Sequence, residues 1–200
     1  MLVNLINQLY GFDIIVWDDN SSFDIGGDFN FHKFEKNYGK KEAWKKFIFI
    51  FDELRKTDYD YYILLPDDAE LCENFIEKAV KLWDGIDDSQ KICLSFSHPD
   101  RTKQPCFTNV EAVDCGDVIK TQWTDLAFIC GKEFINKVII DPVDPKRWDD
   151  DETLSSNVGS KISHFFNYSH HLYNVKTEMM KHIGNEESLM NPEIRKDEPL

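Results

Sequence analysis

Two short runs place paired carboxylates where an apolar segment ends: IIVWDDNS carries Asp18 and Asp19, and YILLPDDAEL carries Asp67 and Asp68. A turn needs one polar residue, and two adjacent carboxylates repel each other unless something positive lies between them. A divalent ion meets that need. Mg²⁺ or Mn²⁺ held by one pair and bridging two phosphates neutralises a leaving diphosphate, while the other pair accepts hydrogen bonds from a base or ribose. The bland alternative is that aspartate and asparagine form turns and cap helices, with Asp67 or Asp68 capping a helix that begins near Glu70. Two such pairs favour the metal and nucleotide reading, because neither turn needs its second carboxylate.

The elements that must position these pairs alternate along the chain. LVNLINQL has leucine and isoleucine at helical spacing, Gly11 follows, and DIIVW is a short β-rich run ending at Asp18. After a loop to about residue 39, KKEAWKKFIFIFDELRK repeats its apolar positions 44, 47, 48, 51 and 54 on one helical face, and YYILL is the next buried strand. ELCENFIEKAVKLW sets Leu71, Phe75, Ala79 and Leu82 on one face of a helix; KICLSFS and QWTDLAFIC read as strands and GKEFINKVI as a helix. DDETLSSNVGSKISHFFNYS reads as a helix with an acidic first turn, and LYNV as a last strand. This alternation predicts an α/β domain with a largely parallel sheet covered on both faces, and such sheets bind ligands at the carboxyl ends of their strands. Both aspartate pairs then open onto one edge.

The 200 residues suit one domain, over residues 1–190, with 191–200 as a C-terminal tail. No apolar stretch is long enough for a membrane span, and no basic start with an apolar core and cleavage site marks the chain for secretion, so the expected location is cytoplasmic. The five cysteines, at 72, 93, 106, 115 and 130, are odd in number and lack the close pairing of a zinc site, which predicts reduced, mostly buried thiols. A net charge of -14 opposes nucleic acid as a partner, with KNYGKK the one local concentration of lysine to set against it. A substrate that arrives with a cation suits this acidity better.

Taken together, LINQLYGFDIIVWDDNSS, NYGKKEAWKKFI, YDYYILLPDDAEL, WTDLAFICGKEF, DDETLS and MMKHIG resemble, in order and spacing, the GT-A fold nucleotide-sugar glycosyltransferases, closest in style to the family 2 enzymes. The resemblance spans roughly residues 2 to 190. It implies a three-layer α/β/α domain with a mainly parallel central sheet, and sugar transfer from a nucleotide-diphosphate donor to an acceptor hydroxyl with inversion. It also implies an apolar strand ahead of LVNLINQL, which this sequence lacks.

Residue by residue, the resemblance gives Asp19 the nucleotide base, with Asp18 beside it. Asp67 and Asp68 match the DxD-type motif, Asp68 as ligand to Mn²⁺ or Mg²⁺ and Asp67 as a ribose or outer contact, although Pro66 stands where many relatives have another acid. Gly39 and Lys40 fall where the family approaches the nucleotide, with Lys40 a point charge for the diphosphate. Leu154 and Ser155 pick out Asp151 as the general base, with Asp150 as the alternative; without the resemblance RWDDDETLSS is an acidic helix start. Trp123 is a sugar platform or a core residue, and Asp125 a hydroxyl acceptor. His182 in MMKHIG matches a C-terminal histidine that completes the metal site, and an imidazole suits Mn²⁺ better than Mg²⁺. His170 and His171 would point to opposite faces of a strand and are read as structural.

Two rival functions share these residues. A nucleotidyltransferase also uses a sheet edge and paired carboxylates, but its glycine-rich phosphate loop is not seen in this sequence. A non-catalytic sugar- or partner-binding module would keep the shape without the chemistry.

Overall fold

The computed structural model describes residues 2–22, 29–96, 113–140 and 158–183. Helix α1 (Leu2–Gln8) ends in a turn through Gly11, whose φ of 93° lies in the left-handed region that glycine adopts without strain, and the chain enters β1 (Ile15–Asp18). β2 (Asn30–Lys33) lies parallel beside β1, with Asp18 opposite Lys33. Helix α2 (Gly39–Arg55) buries Ala43, Ile50, Phe51 and Leu54 and leads to β3 (Tyr62–Leu64), β4 (Ala69–Leu71) and α3 (Phe75–Asp84). Next come β5 (Lys91–Ser95), the hairpin β6 (Val113–Cys115) and β7 (Val118–Thr121), β8 (Phe128–Cys130) and α4 (Lys132–Lys137). Helix α5 (Val158–Phe166), β9 (His171–Val175) and β10 (Met180–His182) complete the described chain.

The main sheet has six strands in the order β3-β8-β5-β9-β7-β6 and is mixed, not mainly parallel. Only β5 and β9 pair in parallel; β3 with β8, β8 with β5, β7 with β9 and β6 with β7 are antiparallel. The reason lies in what precedes each strand. β3, β5 and β9 each follow a helix and share one direction, as helical crossovers require. β7 follows β6 through a two-residue turn led by Gly116 (φ 80°), so it must reverse, and β8 follows β7 through residues 122–127 without a helix and enters upside down between β3 and β5.

Three further expectations change. The helix expected from about Glu70 begins at Phe75, because Ala69–Leu71 is a strand paired antiparallel with Met180–His182. LYNV is therefore not the last strand: β10 follows it. Of QWTDLAFIC, only Phe128–Cys130 is strand.

Helices cover both faces of the large sheet. On one face Leu5 of α1 and Phe75, Ala79 and Trp83 of α3 pack with Leu94, Ile129, Tyr173 and Val175. On the other, α2, α4 and α5 contribute Phe51, Phe134 and Ile162 to a cluster with Cys93, Phe128, Cys130 and Leu172. Phe128 and Cys130 face one way and Ile129 the other, the strand period of two. Full burial of such side chains supplies roughly 1.5–3 kcal/mol each. Among the described residues no helix is long and apolar enough to cross a membrane.

Helix α2 sets how the small β1–β2 sheet stands against the large one. At its C-terminal end, Arg55 donates to the carbonyls of Ile135 and Val138, and Lys132 donates to the carbonyls of Arg55 and Thr57 and to the Tyr62 hydroxyl, at the start of β3. At its N-terminal end it holds Asp19, just past the end of β1. The Tyr59 hydroxyl bonds Asp13, so the starts of β1 and β3 also lie together. β1 therefore starts beside the segment that leads into β3 and ends beside the N-terminal part of α2.

Candidate functional site

The two aspartate pairs singled out from the sequence lie in two turns, one at the end of β1 and one after β3. Asp18 closes β1 as a nearly buried group, 9% exposed, and both of its oxygens accept the Ser21 N–H at 3.1 Å. Lys33 of β2 stands 3.9 Å away and donates to the Ser21 carbonyl at 2.7 Å. Asp18 thus folds its own turn. Asp19 reaches outward to α2: its Oδ1 accepts the Tyr38 N–H at 2.9 Å and its Oδ2 accepts Lys46 Nζ at 2.7 Å. A carboxylate has about four lone-pair sites, so Asp19 keeps acceptor capacity while held in place.

Asp67 and Asp68 follow β3, the first exposed and the second half-buried. Their turn is fixed by the β4–β10 ladder, which sets His182 opposite Ala69, and by the Ile183 N–H, which donates to the Asp68 carbonyl at 2.8 Å. The backbones of Asp68 and His182, 114 residues apart by subtraction of their numbers, are therefore neighbours across two strands.

Asp125 belongs to the same end as Asp67. The last β3–β8 pair is Leu64 with Phe128, and three residues beyond it on the two strands stand Asp67 and Asp125. Asp125 accepts the Leu126 N–H at 2.8 Å, and the segment before it is pinned by α5: the Thr124 N–H donates to Ser163 Oγ at 2.9 Å, and a Cβ at Gly159 would sit 2.6 Å from the Thr124 carbonyl oxygen. Glycine is required there by close approach. Trp123 is half-buried, and its carbonyl accepts the Thr121 hydroxyl at 2.9 Å. Lys40 lies in the first turn of α2, two residues after Tyr38, whose N–H bonds Asp19. Asp150 and Asp151 lie outside the described residues.

The structure also brings in residues that motif reasoning missed. Lys46 and Lys33 hold the first aspartate pair from 27 and 15 positions away, by subtraction of their numbers from those of Asp19 and Asp18, and local pattern carries no sign of such partners. Among the described residues no three His, Cys, Asp or Glu side chains form a metal cage.

The opposite end of the sheet has a cluster of its own. Asp88 Oδ2 accepts His171 Nδ1 and the Tyr173 hydroxyl, each at 2.6 Å, and Asp88 Oδ1 accepts the Gln90 N–H at 2.9 Å. Burial alone would raise the Asp88 carboxyl, but the bonds from Tyr173, Gln90 and His171 outweigh it and bring it to about 2. Burial, then the hydrogen bond to Asp88, pushes the Tyr173 phenol well above its usual range. A cleft of about 260 Å³ beside this cluster is lined by Trp83, Asp88, Lys91, Lys132 and Glu133, among others. Lys91 donates to the carbonyls of Trp83 and Ile86 at 2.7 and 2.9 Å, where α3 ends, as Lys132 does where α2 ends. Both ammonium groups cap helices.

No protein-family model matches this chain, and no curated protein matches it.

Proposed function

We propose that this protein is a metal-dependent glycosyltransferase of the GT-A kind, moving a sugar from a nucleotide-diphosphate donor to an acceptor hydroxyl with inversion. The observation that carries the reading is the β4–β10 ladder, which sets His182 one residue from Asp68. The placing of Asp125 beside Asp67, three residues beyond the last β3–β8 pair, supports it further. Asp68 and His182 would hold the metal, with Asp67 beside them. An anionic oxygen with an imidazole nitrogen is a donor set that suits Mn²⁺, and sites of this type commonly use one or two carboxylates plus substrate phosphates, without a full protein cage. Bound there, the ion supplies neutralisation of the leaving diphosphate.

The chain's own residues do the rest. Asp19, held by Lys46 and the Tyr38 N–H, offers its remaining lone pairs to the nucleoside. Lys40 meets the diphosphate, and Asp125 and Trp123 orient the sugar or acceptor from a segment fixed by α5. Asp151, or Asp150, takes the acceptor proton.

Calorimetric titration with uridine, guanosine and thymidine diphosphates, with and without Mn²⁺, tests this. Metal-dependent binding of at least one, lost in Asp68→Asn and in His182→Ala, is expected; no metal-dependent binding of any would remove the proposal. Product analysis separates it from nucleotidyl transfer, which releases pyrophosphate where sugar transfer releases a nucleoside diphosphate.

One observation favours the non-catalytic module: Asp18 is consumed by its own turn and both Asp19 oxygens already have partners. Nucleotide binding with no turnover in the wild type, unchanged by Asp151→Asn, is the result that reading requires.

A further inference from the structure

Cys93 and Cys130 face each other across the centre of the large sheet. They are direct partners in the β5–β8 ladder, and neither has any exposed surface. The type of pair follows from the ladder's end. The Phe96 N–H donates to the Ala127 carbonyl at 2.9 Å, so residues 96 and 127 form a hydrogen-bonded pair. Antiparallel pairs alternate, which makes 94 with 129 hydrogen-bonded and 93 with 130 non-hydrogen-bonded. In pairs of that second kind the Cα atoms are about 4.5 Å apart, inside the range of about 4.4–6.8 Å that a disulfide spans. Directly opposed residues also share a face, and both thiols lie in the same core cluster under α2, α4 and α5.

The other described cysteines are placed differently. Cys72 packs with the cluster on the opposite face of the sheet, and Cys115 is exposed on the β6–β7 hairpin. Neither shares a ladder position with another cysteine.

We propose that Cys93 and Cys130 form a dithiol site that closes to an intramolecular disulfide by exchange with a small-molecule disulfide. One protein thiolate attacks a sulfur of the reagent, releasing one small thiol and leaving a mixed disulfide. The second protein thiolate then attacks the protein sulfur of that mixed disulfide and releases the second small thiol. Two protein thiols are oxidised by two electrons, and one reagent disulfide is reduced to two thiols.

The site is gated by burial. The thiolate is the nucleophile, and burial holds both thiols up, Cys93 at about 12 despite a bond from Thr124, and Cys130 well above its usual value. Exchange in the folded protein therefore waits for an opening that lifts β8 away from its neighbours, of which β3 is the three-residue edge strand. The pair stays reduced in the closed fold and reports its opening.

The test uses the full chain, denatured in urea and refolded in buffers of oxidised and reduced glutathione, oxidising enough to modify Cys115. Remaining thiols are blocked with N-ethylmaleimide, and tryptic peptides are weighed without reduction. Residues 92–101 and 121–132 fall in separate tryptic peptides with one cysteine each. The expected species is those two peptides joined, two hydrogens lighter than their sum, as the main product, and Cys115→Ser should leave it in place. Oxidant added to the folded protein should close the same pair at least tenfold more slowly. Recovery of Cys93 and Cys130 as separate blocked or glutathione-bearing thiols, or of either joined to Cys72 or Cys106, overturns the proposal.

Discussion

The two ends of the six-stranded sheet use charge in opposite ways. At the end where β5 and β9 begin, Asp88 accepts three bonds and Lys91 and Lys132 donate to the last carbonyls of α3 and α2. These groups tie one element to another, and a ligand would have to break them. At the end where β3 finishes, Asp67 is exposed, and the turn it shares with Asp68 is held by backbone bonds to the β10 segment. A titratable cluster is therefore no sign of a binding site by itself: the shift of the Asp88 carboxyl is explained by internal partners. On the proposed reading, substitutions at the Asp88 end, the lower end, cost stability and leave nucleotide binding alone, while those at the Asp67 end, the upper end, do the reverse.

The largest effect should come from Phe134→Ala in α4. Phe134 has no exposed surface, and its ring lies 5.0 Å from Phe128, 5.1 Å from Phe166 and 5.7 Å from Phe51, joining the sheet to two helices. Truncation should cost about 3–5 kcal/mol, read as a shift of the urea midpoint at constant slope. A loss below about 1 kcal/mol would mean that the lower core can collapse around the gap.

Lys132→Met comes next. It keeps most of the stem and removes the ammonium that joins the carbonyls of Arg55 and Thr57 to the Tyr62 hydroxyl. The expected loss is about 2–3 kcal/mol, since bonds from a charged donor exceed neutral ones and the carbonyls are left half-buried. Nucleotide titration at a temperature well below melting should be unchanged. A weakened titration would join the two ends and break the comparison.

Asp88 makes the lower end sensitive to acid. Its folded value of about 2 lies below the usual 3.8, so its contribution is present above the unfolded value and is lost as pH falls through the folded one. About 2 kcal/mol should disappear between roughly pH 4 and pH 2. Asp88→Asn, which lacks that ionisation, should show a flatter stability profile over the same window by urea denaturation.

How far all this was legible in the sequence varies with the range of the forces involved. The helical faces of α2 and α3 and the apolar runs of β1, β3 and β5 follow from local periodicity, and the α/β class follows with them. The direction of β8 does not, because it depends on which gap an irregular crossing enters. β10 was missed for a similar reason: MKH has no strand signal of its own and becomes a strand only by pairing with Ala69–Leu71, which in turn shortens the helix expected there. The aspartate pairs were visible as residues, but their states were not, since Lys33 and Lys46 reach them from other elements. Long-range pairing is what a periodicity scan cannot contain.

The smallest effect on stability should come from Asp67→Asn, and it carries the most information about the upper end. Asp67 is exposed and lies in a turn, where asparagine is accepted as readily as aspartate, so folding stability should move by no more than about 0.5 kcal/mol. If Asp67 contacts the ribose or supports the ion held by Asp68, Mn²⁺-dependent affinity for a nucleoside diphosphate should nonetheless fall by about tenfold, the equivalent of one charge-assisted hydrogen bond. Asp84→Asn serves as the control: it removes an exposed carboxylate at the other end, where Asp84 accepts the Tyr61 hydroxyl at 3.1 Å, and it should leave that affinity unchanged. Equal losses in both variants would trace the effect to the overall negative field of the chain, and the functional contrast between the two ends would disappear.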